Sequence, residues 1–479
     1  MSRITEFPLY LIPFDDDLLS MEAIADMRTT RVDGDPTEIF NAARALMKLQ
    51  AAYGTIPHIF GKGQYARQLC DMLLRMRNEA VSDASSGDAD FTTVSEDVPP
   101  EIGNLLIVDR EVDLVTPMMT QLSFEGAIDE LLGITNSSVE LDAEVISPPP
   151  PPGAQTDKPG RQFPPGKKLN YPLNSNDPLY YDMRHLNCLA VGKFLAQHAR
   201  DLSTWEQSRK TMGNSIGAMR EYMKRMPAMQ AEKNSIRIFA HVLEKVQAGH
   251  NARLHRRVEA EQSLVCSDDD QIEFIEDSIL RGDPLEEVLR LLVIQAQTRG
   301  GFKPKIAEQL KHEIIQTYGY EALFTLERFE KLGLLCRTQS RTSFPSVLRS
   351  LNLMPDDIDE GSLTPTDSAC AYSGFAPIIS RIARAVGSFG GWKSIEDALK
   401  SLPGGPVFDV EQVPHAKKPP VTLIFVLGGI TYGEVSAIRI LSHAEGGSHH
   451  DYIIATTKMV NGNSLIRSLM CTFPRPGEA

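Results

Sequence analysis

The sequence is poor in the features that mark several common protein classes. It has six cysteines in 479 residues, and none forms a Cys-x-x-Cys pair, which is typical of buried thiols in a reducing compartment. The longest near-continuous apolar run, residues 421–430, is too short to cross a bilayer. Residues 1–6 show no signal-peptide pattern. We therefore expect an intracellular protein without direct membrane insertion.

Positive charge is also scarce. The chain has 49 Lys and Arg residues against 63 Asp and Glu residues, which gives a net charge of -14 at pH 7. A duplex-binding protein usually has the opposite balance, so nucleic acid is disfavoured as the main partner. The hydrophobic fraction of 42% and the charged fraction of 23% are typical of folded proteins, and the length predicts about two to four domains.

The two ends of the chain alternate strand and helix signals, a pattern typical of a sheet covered by helices. The run at 105–109 is apolar on both faces, as in a buried parallel strand. Two strands near the C-terminus need neighbours, and the only plausible ones lie in the first 110 residues. The predicted strands are 7–12, 56–60, 105–109, 421–427 and 452–455. One helix is predicted between Asp35 and Gly54, two more at 64–80 and 120–132, and a fourth that begins at Glu434.

The middle of the chain has helical periodicity in almost every window from about 182 to 335. A helix is predicted to begin at 283–286 and to end at 300–301. Eight prolines between 148 and 165 predict an exposed loop, with recognition by a polyproline-binding partner as the less favoured alternative. Two helices are predicted on either side of Pro227, with apolar stripes at Ile216, Met219, Met223 and Met226, and at Ile236, Phe239, Leu243 and Val246.

These signals predict one fold class: a parallel-sheet α/β domain split by a large inserted, mainly helical domain that contains a helical hairpin. The predicted boundaries are 1–165 for the first part of the α/β domain (with a Pro-rich loop at 147–178), 179–417 for the helical domain (hairpin at about 212–250), and 418–479 for the second part.

Three short motifs resemble catalytic or metal-binding signatures, but in each case the surrounding residues lack a feature that the chemistry needs. The Gly-x-Ser-x-Gly motif at 213–217 has no buried strand before it, so a helix start is favoured over a hydrolase nucleophile. The His-Glu pair at 312–313 begins like a zinc-protease helix, but Gln316 occupies the second ligand position. The histidine pair at 449–450 lacks a spaced third ligand. We predict no catalytic residue, no metal site and no cofactor.

The glycine pair at 428–429 supports the main catalytic alternative. It follows an apolar strand and precedes a helix, which is where phosphates bind in open α/β sheets. Its spacing fits neither common nucleotide-binding motif, and Glu434 would repel a phosphate. Close packing of helix on strand explains the glycines adequately, so a phosphate-binding enzyme is the less favoured interpretation.

A basic segment lies within the acidic chain. Residues 217–257 include nine basic and three acidic side chains, a net charge of +6 by subtraction. A basic, methionine-rich hairpin suits acidic amphipathic helices, because charge steers them in and thioethers adapt to them. A solvated helix face over an ordinary core is equally compatible with these residues.

Several segments together resemble the SM proteins, the syntaxin-binding chaperones of SNARE assembly. The family's hallmark is similar to residues 105–110 with Asp113, and to 116–117 and 123–126; its closing strand–turn–helix is similar to 425–431 with Glu434. Finer similarities to the SM subunit of the class C vacuolar tethering complexes, HOPS and CORVET, lie at 54–57, 316–321, 372–377 and 455–458.

The resemblance implies an α/β domain interrupted by a helical domain. In that helical domain a hairpin kinked near a proline supports SNARE-motif helices, and Pro227 lies at the matching place. Another face docks an α-solenoid subunit of the tethering complex, and the matching segment is 311–323. Family members have a further N-terminal α/β domain, which we expect this chain to lack, so that domain's contacts with syntaxin-type SNAREs are not carried over.

The resemblance therefore predicts a non-catalytic SNARE-binding chaperone and tethering subunit for syntaxin-type and R-type SNARE motifs. It implies a cytoplasmic protein held at vacuole, lysosome and late endosome membranes through complex partners. The alternatives are a scaffold that binds only the α-solenoid subunit and, less favoured, the phosphate-binding enzyme. The predicted SNARE-binding residues are Met219, Arg220, Met223, Lys224, Pro227, Ile236, Phe239 and Leu243, and the predicted solenoid-binding residues are Lys311, Tyr320 and Leu323.

Overall fold

The computed structural model describes residues 9–23, 28–86, 98–147, 164, 166–211, 216–249, 252–266, 271–336, 342–356, 358–372, 374–388, 390–412, 420–443 and 450–471. The strands are β1 (Ile12–Asp15), β2 (Leu18–Ser20), β3 (His58–Lys62), β4 (Asn104–Asp109), β5 (Ser138–Asp142), β6 (Lys168–Pro172), β7 (Val407–Glu411), β8 (Val421–Leu427) and β9 (Asp451–Thr456).

The helices are α1 (Thr37–Tyr53), α2 (Gln64–Ser86), α3 (Phe124–Leu131), α4 (Ala143–Ile146), α5 (Pro178–Met183), α6 (Cys188–Thr211), α7 (Ile216–Gly249), α8 (Ala252–Cys266), α9 (Ile272–Leu280), α10 (Leu285–Arg299), α11 (Pro304–Tyr318), α12 (Glu321–Lys331), α13 (Phe344–Ser350), α14 (Ile378–Gly387), α15 (Gly391–Ser401), α16 (Tyr432–His443) and α17 (Gly462–Leu469). Short 3₁₀ turns lie at Arg110–Val112, Thr116–Met118 and Ser368–Tyr372, and a π-helical turn lies at Thr29–Asp33. None of the described helices is long and apolar enough to span a membrane.

Seven strands form one sheet in the order β1-β2-β9-β8-β4-β3-β7. β2, β9, β8, β4 and β3 run parallel to one another, and β1 and β7 are antiparallel strands at the two edges. β4 pairs with β8 so that Ile107 lies opposite Phe425. Strands from the two ends of the chain therefore share one sheet, and the predicted α/β fold split by a helical insertion is confirmed.

Both faces of the sheet are covered because its central strands are apolar at nearly every position. In β4, Leu105 and Ile107 belong to the core under α1 and α2, whereas Leu106 and Val108 belong to the core on the opposite face. This alternation follows from the two-residue period of a strand. The opposite face packs against α14 and α16, and its core continues into α9–α13. The sheet and the helices on this face therefore share one continuous hydrophobic core.

A second, smaller core lies beside the sheet. β5 and β6 form a two-stranded antiparallel sheet, and the core that they share includes α3, α5, α6 and the C-terminal half of α7. Arg290 of α10 is fully buried; its Nε donates to the carbonyl of Met118 at 2.8 Å, and it pairs with Glu130 of α3. Arg290 therefore links α10 to α3 and to the turn that contains Met118.

Five strands, β1, β2, β5, β6 and β7, differ from the sequence analysis, and no strand was predicted at β2. β1 begins at Ile12, not at residue 7, and residues 1–8 lie outside the described part of the chain. β5 precedes the loop predicted at 147–178, whereas β6 lies inside that range, so the prediction of a loop there is wrong at Lys168–Pro172. β7, at Val407–Glu411, joins the edge of the sheet although it lies inside the range assigned to the helical domain. Because Asp409 and Glu411 interrupt its apolar residues, β7 contains no apolar run that the sequence analysis could recognise.

Candidate functional site

The long helix α7 continues through Pro227 without interruption. The sequence analysis placed Pro227 between two helices, but one helix extends from Ile216 to Gly249 with this proline in its interior. Proline removes one backbone hydrogen bond and crowds the carbonyl four residues earlier. Here that carbonyl belongs to Met223, whose surroundings are exposed, so water can replace the lost donor. The prediction of two helices around Pro227 is therefore corrected.

The helical hairpin is formed by α6 and α7, not by two halves of α7. Near its outer end Trp205 stacks on Tyr222, with ring centroids 4.4 Å apart and planes 5° apart. Further along, Lys233 Nζ pairs with Glu206 at 2.7 Å. These contacts between the helices hold the exposed half of α7 against α6, while the connection at 212–215 lies outside the described residues.

The C-terminal half of α7 belongs to the small core. Phe239 is fully buried, and its ring stacks on Tyr180 at 5.6 Å. Leu243 is 7% exposed in the same cluster, and Ile236 is half-buried against it. Phe239 and Leu243 are therefore core residues and not partner contacts. Helical periodicity cannot distinguish a stripe that faces its own core from one that faces a partner, which is why the sequence grouped them together.

The N-terminal half of α7 carries an exposed face. Arg220, Met223, Lys224 and Pro227 are all exposed and follow the spacing i, i+3, i+4, i+7, so they lie along one side of the helix. The Met223 side chain is 61% exposed. The exposed Ala231 extends this row by a further turn. The side chain of Met219 lies outside the described part. We call these four residues, with Ala231, the hairpin face.

The basic segment at 217–257 is largely neutralised by residues elsewhere in the chain. Only Arg220, Lys224 and Arg225 combine exposure with the lack of an ion-pair partner among the described residues. The uncompensated charge is thus concentrated near the hairpin tip. The partnered members are Lys233 with Glu206 at 2.7 Å, Lys245 with Asp142 at 2.7 Å, Arg253 with Glu287, Arg257 with Glu261 at 3.3 Å, and Arg237, which donates to the Val145 carbonyl at 2.7 Å.

A groove of about 500 Å³ lies beside the base of the hairpin, between α5, α6 and α7. Asp177 caps α5 by accepting from the amide of Leu179 at 3.0 Å, and it also accepts from the Ser235 hydroxyl at 2.6 Å. On its other side His198 contacts Glu232 at 2.9 Å. These contacts fix the direction in which α7 leaves the small core, so the hairpin face has a defined orientation.

The second predicted surface lies at the junction of α11 and α12. Tyr320 is 70% exposed on the turn before α12, and its carbonyl accepts from the Leu323 amide at 3.1 Å. Lys311 and Leu323 are half-buried. Phe324, 43% exposed, was missed by the sequence analysis; its spacing of four from Tyr320 would have indicated it. Tyr320 and Phe324 are thus the most exposed aromatic side chains of this surface.

The glycine pair at 428–429 does not form a phosphate site. The Gly428 amide donates to Thr457 Oγ1 at 3.0 Å, and Arg110 Nη1 donates to the Gly429 carbonyl at 3.3 Å and to Glu434 at 2.9 Å. The neighbouring cavity has only about 20 Å³. Burial disfavours the charged form of Arg110, but the Glu434 carboxylate outweighs this and raises its pKa. A buried ion pair therefore occupies the place that a phosphate would need.

The remaining catalytic candidates gain no support. Gln316 Nε2 contacts His312 Nε2 at 2.9 Å on an exposed helix face, and His450 contacts Thr422 at 2.6 Å. No group of three or more potential metal ligands occurs within the described ranges. Ser215 and His449 lie outside those ranges.

Comparison with known proteins identifies the family. A model of the Sec1 family matches residues 1–468. The chain is 39% identical over 477 residues to vacuolar protein sorting-associated protein 33A of Rattus norvegicus, covering 97% of this chain and 76% of that protein. It is 33% identical over 487 residues to the vacuolar protein-sorting-associated protein 33 homolog of Arabidopsis thaliana, covering 98% and 76%.

The fold agrees with this match. It is similar to the SM protein Vps45 in complex with the Qa SNARE Tlg2, with a TM-score of 0.62 and 18% identity over 96% of this chain and 75% of that chain. At this identity the likeness concerns the fold alone. The match over residues 1–468 and the identities to the two vacuolar sorting proteins show that the chain belongs to the Sec1 family of SM proteins, in the vacuolar protein sorting 33 branch.

Proposed function

We propose that this chain is a non-catalytic SNARE-binding chaperone that holds SNARE motifs on the hairpin face during vacuolar and late endosomal membrane fusion. The observation that carries the proposal is the exposed row of Arg220, Met223, Lys224 and Pro227 on a helix braced at its base. Two further facts support it: the structural neighbour Vps45 was solved with a Qa SNARE, and the curated relatives are vacuolar sorting proteins.

The hairpin face has the chemistry that an amphipathic helix requires. Arg220 and Lys224 supply positive charge without an internal partner in the described chain, which steers acidic helices toward the face. Met223 supplies an adaptable apolar contact. Pro227 and Ala231 are short, so a second helix can approach the backbone of α7 closely. The partner is therefore an acidic amphipathic helix that lies along α7.

The test is stopped-flow association of a labelled SNARE-motif peptide over a salt series. The variant Arg220→Glu with Lys224→Glu should slow association at low salt, and the difference from wild type should fade as salt screens the charges, with a Debye length of about 8 Å at physiological ionic strength. A matched control, Lys331→Glu with Lys393→Glu, makes the same charge change at exposed positions elsewhere. Equal association rates for all three proteins at low salt would refute the proposal.

The surface around Tyr320 is proposed to dock an α-solenoid subunit, which would make the chain the SM subunit of HOPS and CORVET and bring it to the membrane through that partner. An exposed tyrosine next to half-buried Leu323, with half-buried Lys311 on the preceding helix, is typical of an interface centre. Tyr320→Asp would place a charge in the desolvated contact and should abolish co-purification with the solenoid subunit. Tyr53→Asp, at another exposed tyrosine, should not.

The same pair of experiments tests the scaffold alternative. Loss of solenoid binding in Tyr320→Asp together with no SNARE-peptide binding by the wild-type chain would favour a scaffold that binds only its solenoid partner. Retained co-purification of Tyr320→Asp, with circular dichroism unchanged, would contradict the docking surface itself.

A further inference from the structure

A cavity of about 260 Å³ lies between α8, α9 and α10, outside both surfaces described above. Two carboxylates, Asp283 and Glu287, are part of its wall. The lining has four arginines and two carboxylates, a formal charge of +2 by subtraction, and two further carboxylates outside the lining, Glu130 and Glu261, pair with Arg257 at 3.4 and 3.3 Å. The arginines are Arg253, Arg256 and Arg257 of α8 and Arg281 at the end of α9.

The two carboxylates hold the guanidinium groups of Arg253, Arg257 and Arg281 in fixed positions on the wall. Glu287 pairs with Arg253 and, at 3.1 Å, with Arg257 Nη1. Asp283 pairs with Arg281 Nη2 at 3.3 Å. Arg281 uses only Nη2 for hydrogen bonds with described residues, so the other donors of its planar guanidinium group remain for a ligand. Such pre-positioned donors lose little side-chain entropy when an anion binds.

The cavity is next to exposed apolar side chains. Leu280, immediately before Arg281, is 76% exposed. The Tyr318 hydroxyl donates to the Asp283 carbonyl at 2.5 Å, which places the end of α11 against the cavity wall. Tyr320 follows two residues later and is 70% exposed. The arginine cavity therefore lies close to the surface around Tyr320, with the end of α11 between them.

We propose that the arginine cavity receives one or two carboxylates from an acidic segment of the α-solenoid partner, with Leu280 contacting an apolar residue of the same segment. This inference rests on the docking surface proposed above and names the chemistry that its partner must present. A protein segment is favoured over a phosphorylated lipid headgroup, because the wall has a net charge of only +2 and the adjoining surface has the Arg, Tyr and Leu side chains of a protein interface.

The test measures the Kd between the full chain and the purified α-solenoid subunit by calorimetry. Arg281→Glu should weaken binding about tenfold or more, with a steeper effect at low salt, and Arg281→Gln should weaken it less. Arg349→Glu, an exposed arginine of α13, is the matched control and should bind like wild type. Replacing the contacting acidic residue of the solenoid by arginine should restore binding to Arg281→Glu.

The outcomes separate this inference from the docking proposal. If Tyr320→Asp abolishes binding while Arg281→Glu leaves Kd unchanged, the docking surface stands and the arginine cavity is refuted. If Tyr320→Asp has no effect, the docking proposal fails whatever Arg281→Glu does. Binding of inositol hexakisphosphate or of phosphoinositide vesicles that depends on Arg281, without any change in solenoid affinity, would overturn the inference in favour of a phosphate ligand.

Discussion

Replacing Arg439 by methionine should change how the stability of the sheet edge depends on pH. The buried Arg439 of α16 donates from Nε and Nη2 to Asp17 at 2.7 and 2.8 Å. Its Nη1 donates to Glu125 at 2.6 Å, and Asp15 lies 3.6 Å away. Arg184 is the second cation of this cluster and pairs with Asp15. The variant leaves one guanidinium group for three carboxylates.

The expected loss in the free energy of unfolding is about 3–5 kcal/mol, because removal of one partner leaves buried charges uncompensated. The lowered pKa of Asp17 accounts for part of this free energy. Burial raises its pKa, but attraction to Arg439 and their hydrogen bond outweigh burial and hold the pKa at about 2, against an ordinary 3.8. A carboxyl with a depressed pKa stabilises the fold above its ordinary value, here by about 2 kcal/mol, and this contribution is lost as the pH falls through about 2.

Urea unfolding of wild type and Arg439→Met between about pH 8 and pH 5 tests this reasoning. In the variant Asp17 loses the guanidinium group that lowers its pKa while its burial, which raises the pKa, remains, so protonation on folding should make up part of the loss, and the difference from wild type should shrink toward pH 5. Arg467→Met is the control, because Arg467 is 64% exposed in its pair with Glu286 and should cost less than about 1 kcal/mol. A loss no larger than the control, or a difference independent of pH, would refute the argument.

Two further predictions concern single buried positions. A Cβ on Gly433 would lie 2.7 Å from the buried ring and hydroxyl of Tyr372, whereas a Cβ on Gly192 would meet only Leu243 Cδ2 at 3.9 Å. In thermal or urea unfolding, Gly433→Ala should therefore lower the free energy of unfolding by about 1–3 kcal/mol, and the control Gly192→Ala should raise it by about 0.5–1 kcal/mol. Equal effects of the two substitutions would contradict the packing. Burial raises the pKa of Asp129 to about 7 from 3.8, so stability should fall as the pH rises between these values, and urea unfolding of Asp129→Asn should show a flatter dependence; an unchanged slope would exclude Asp129 as its source.

The sheet was predictable because its central strands contain their own signal. β4 and β8 are buried along almost their whole length, so they are continuous apolar runs that no surface element imitates. The pairing of strands from the two ends of the chain was also predictable, because the two strands near the C-terminus had no possible neighbours outside the first 110 residues. β7 gave no such signal, because an edge strand has one partner and tolerates acidic side chains such as Asp409 and Glu411.

The candidate site was less predictable for two physical reasons. A helical stripe shows only that several side chains share a direction, so Phe239 and Met223 looked equivalent, although Phe239 is fully buried and Met223 is 61% exposed. A proline is a strong helix breaker on average, yet Pro227 lies inside α7, because its neighbours are solvent-exposed. Both distinctions depend on what covers the helix, and that is decided by residues far away in the sequence.

Charge shows the same dependence on distant residues. Lys233 is 62% exposed, yet its ammonium group is paired with Glu206, and Lys245 is paired with Asp142 more than a hundred residues earlier. A charge compensated within a few ångströms contributes little to the field that an approaching helix meets about 8–10 Å away. The count of +6 in one segment therefore does not give the charge available for binding. What remains of that segment is the hairpin tip, where Arg220 and Lys224 can steer an acidic helix. In the arginine cavity Arg253, Arg257 and Arg281 are paired with carboxylates, so binding there depends on the hydrogen-bond donors that Arg281 keeps and not on excess charge.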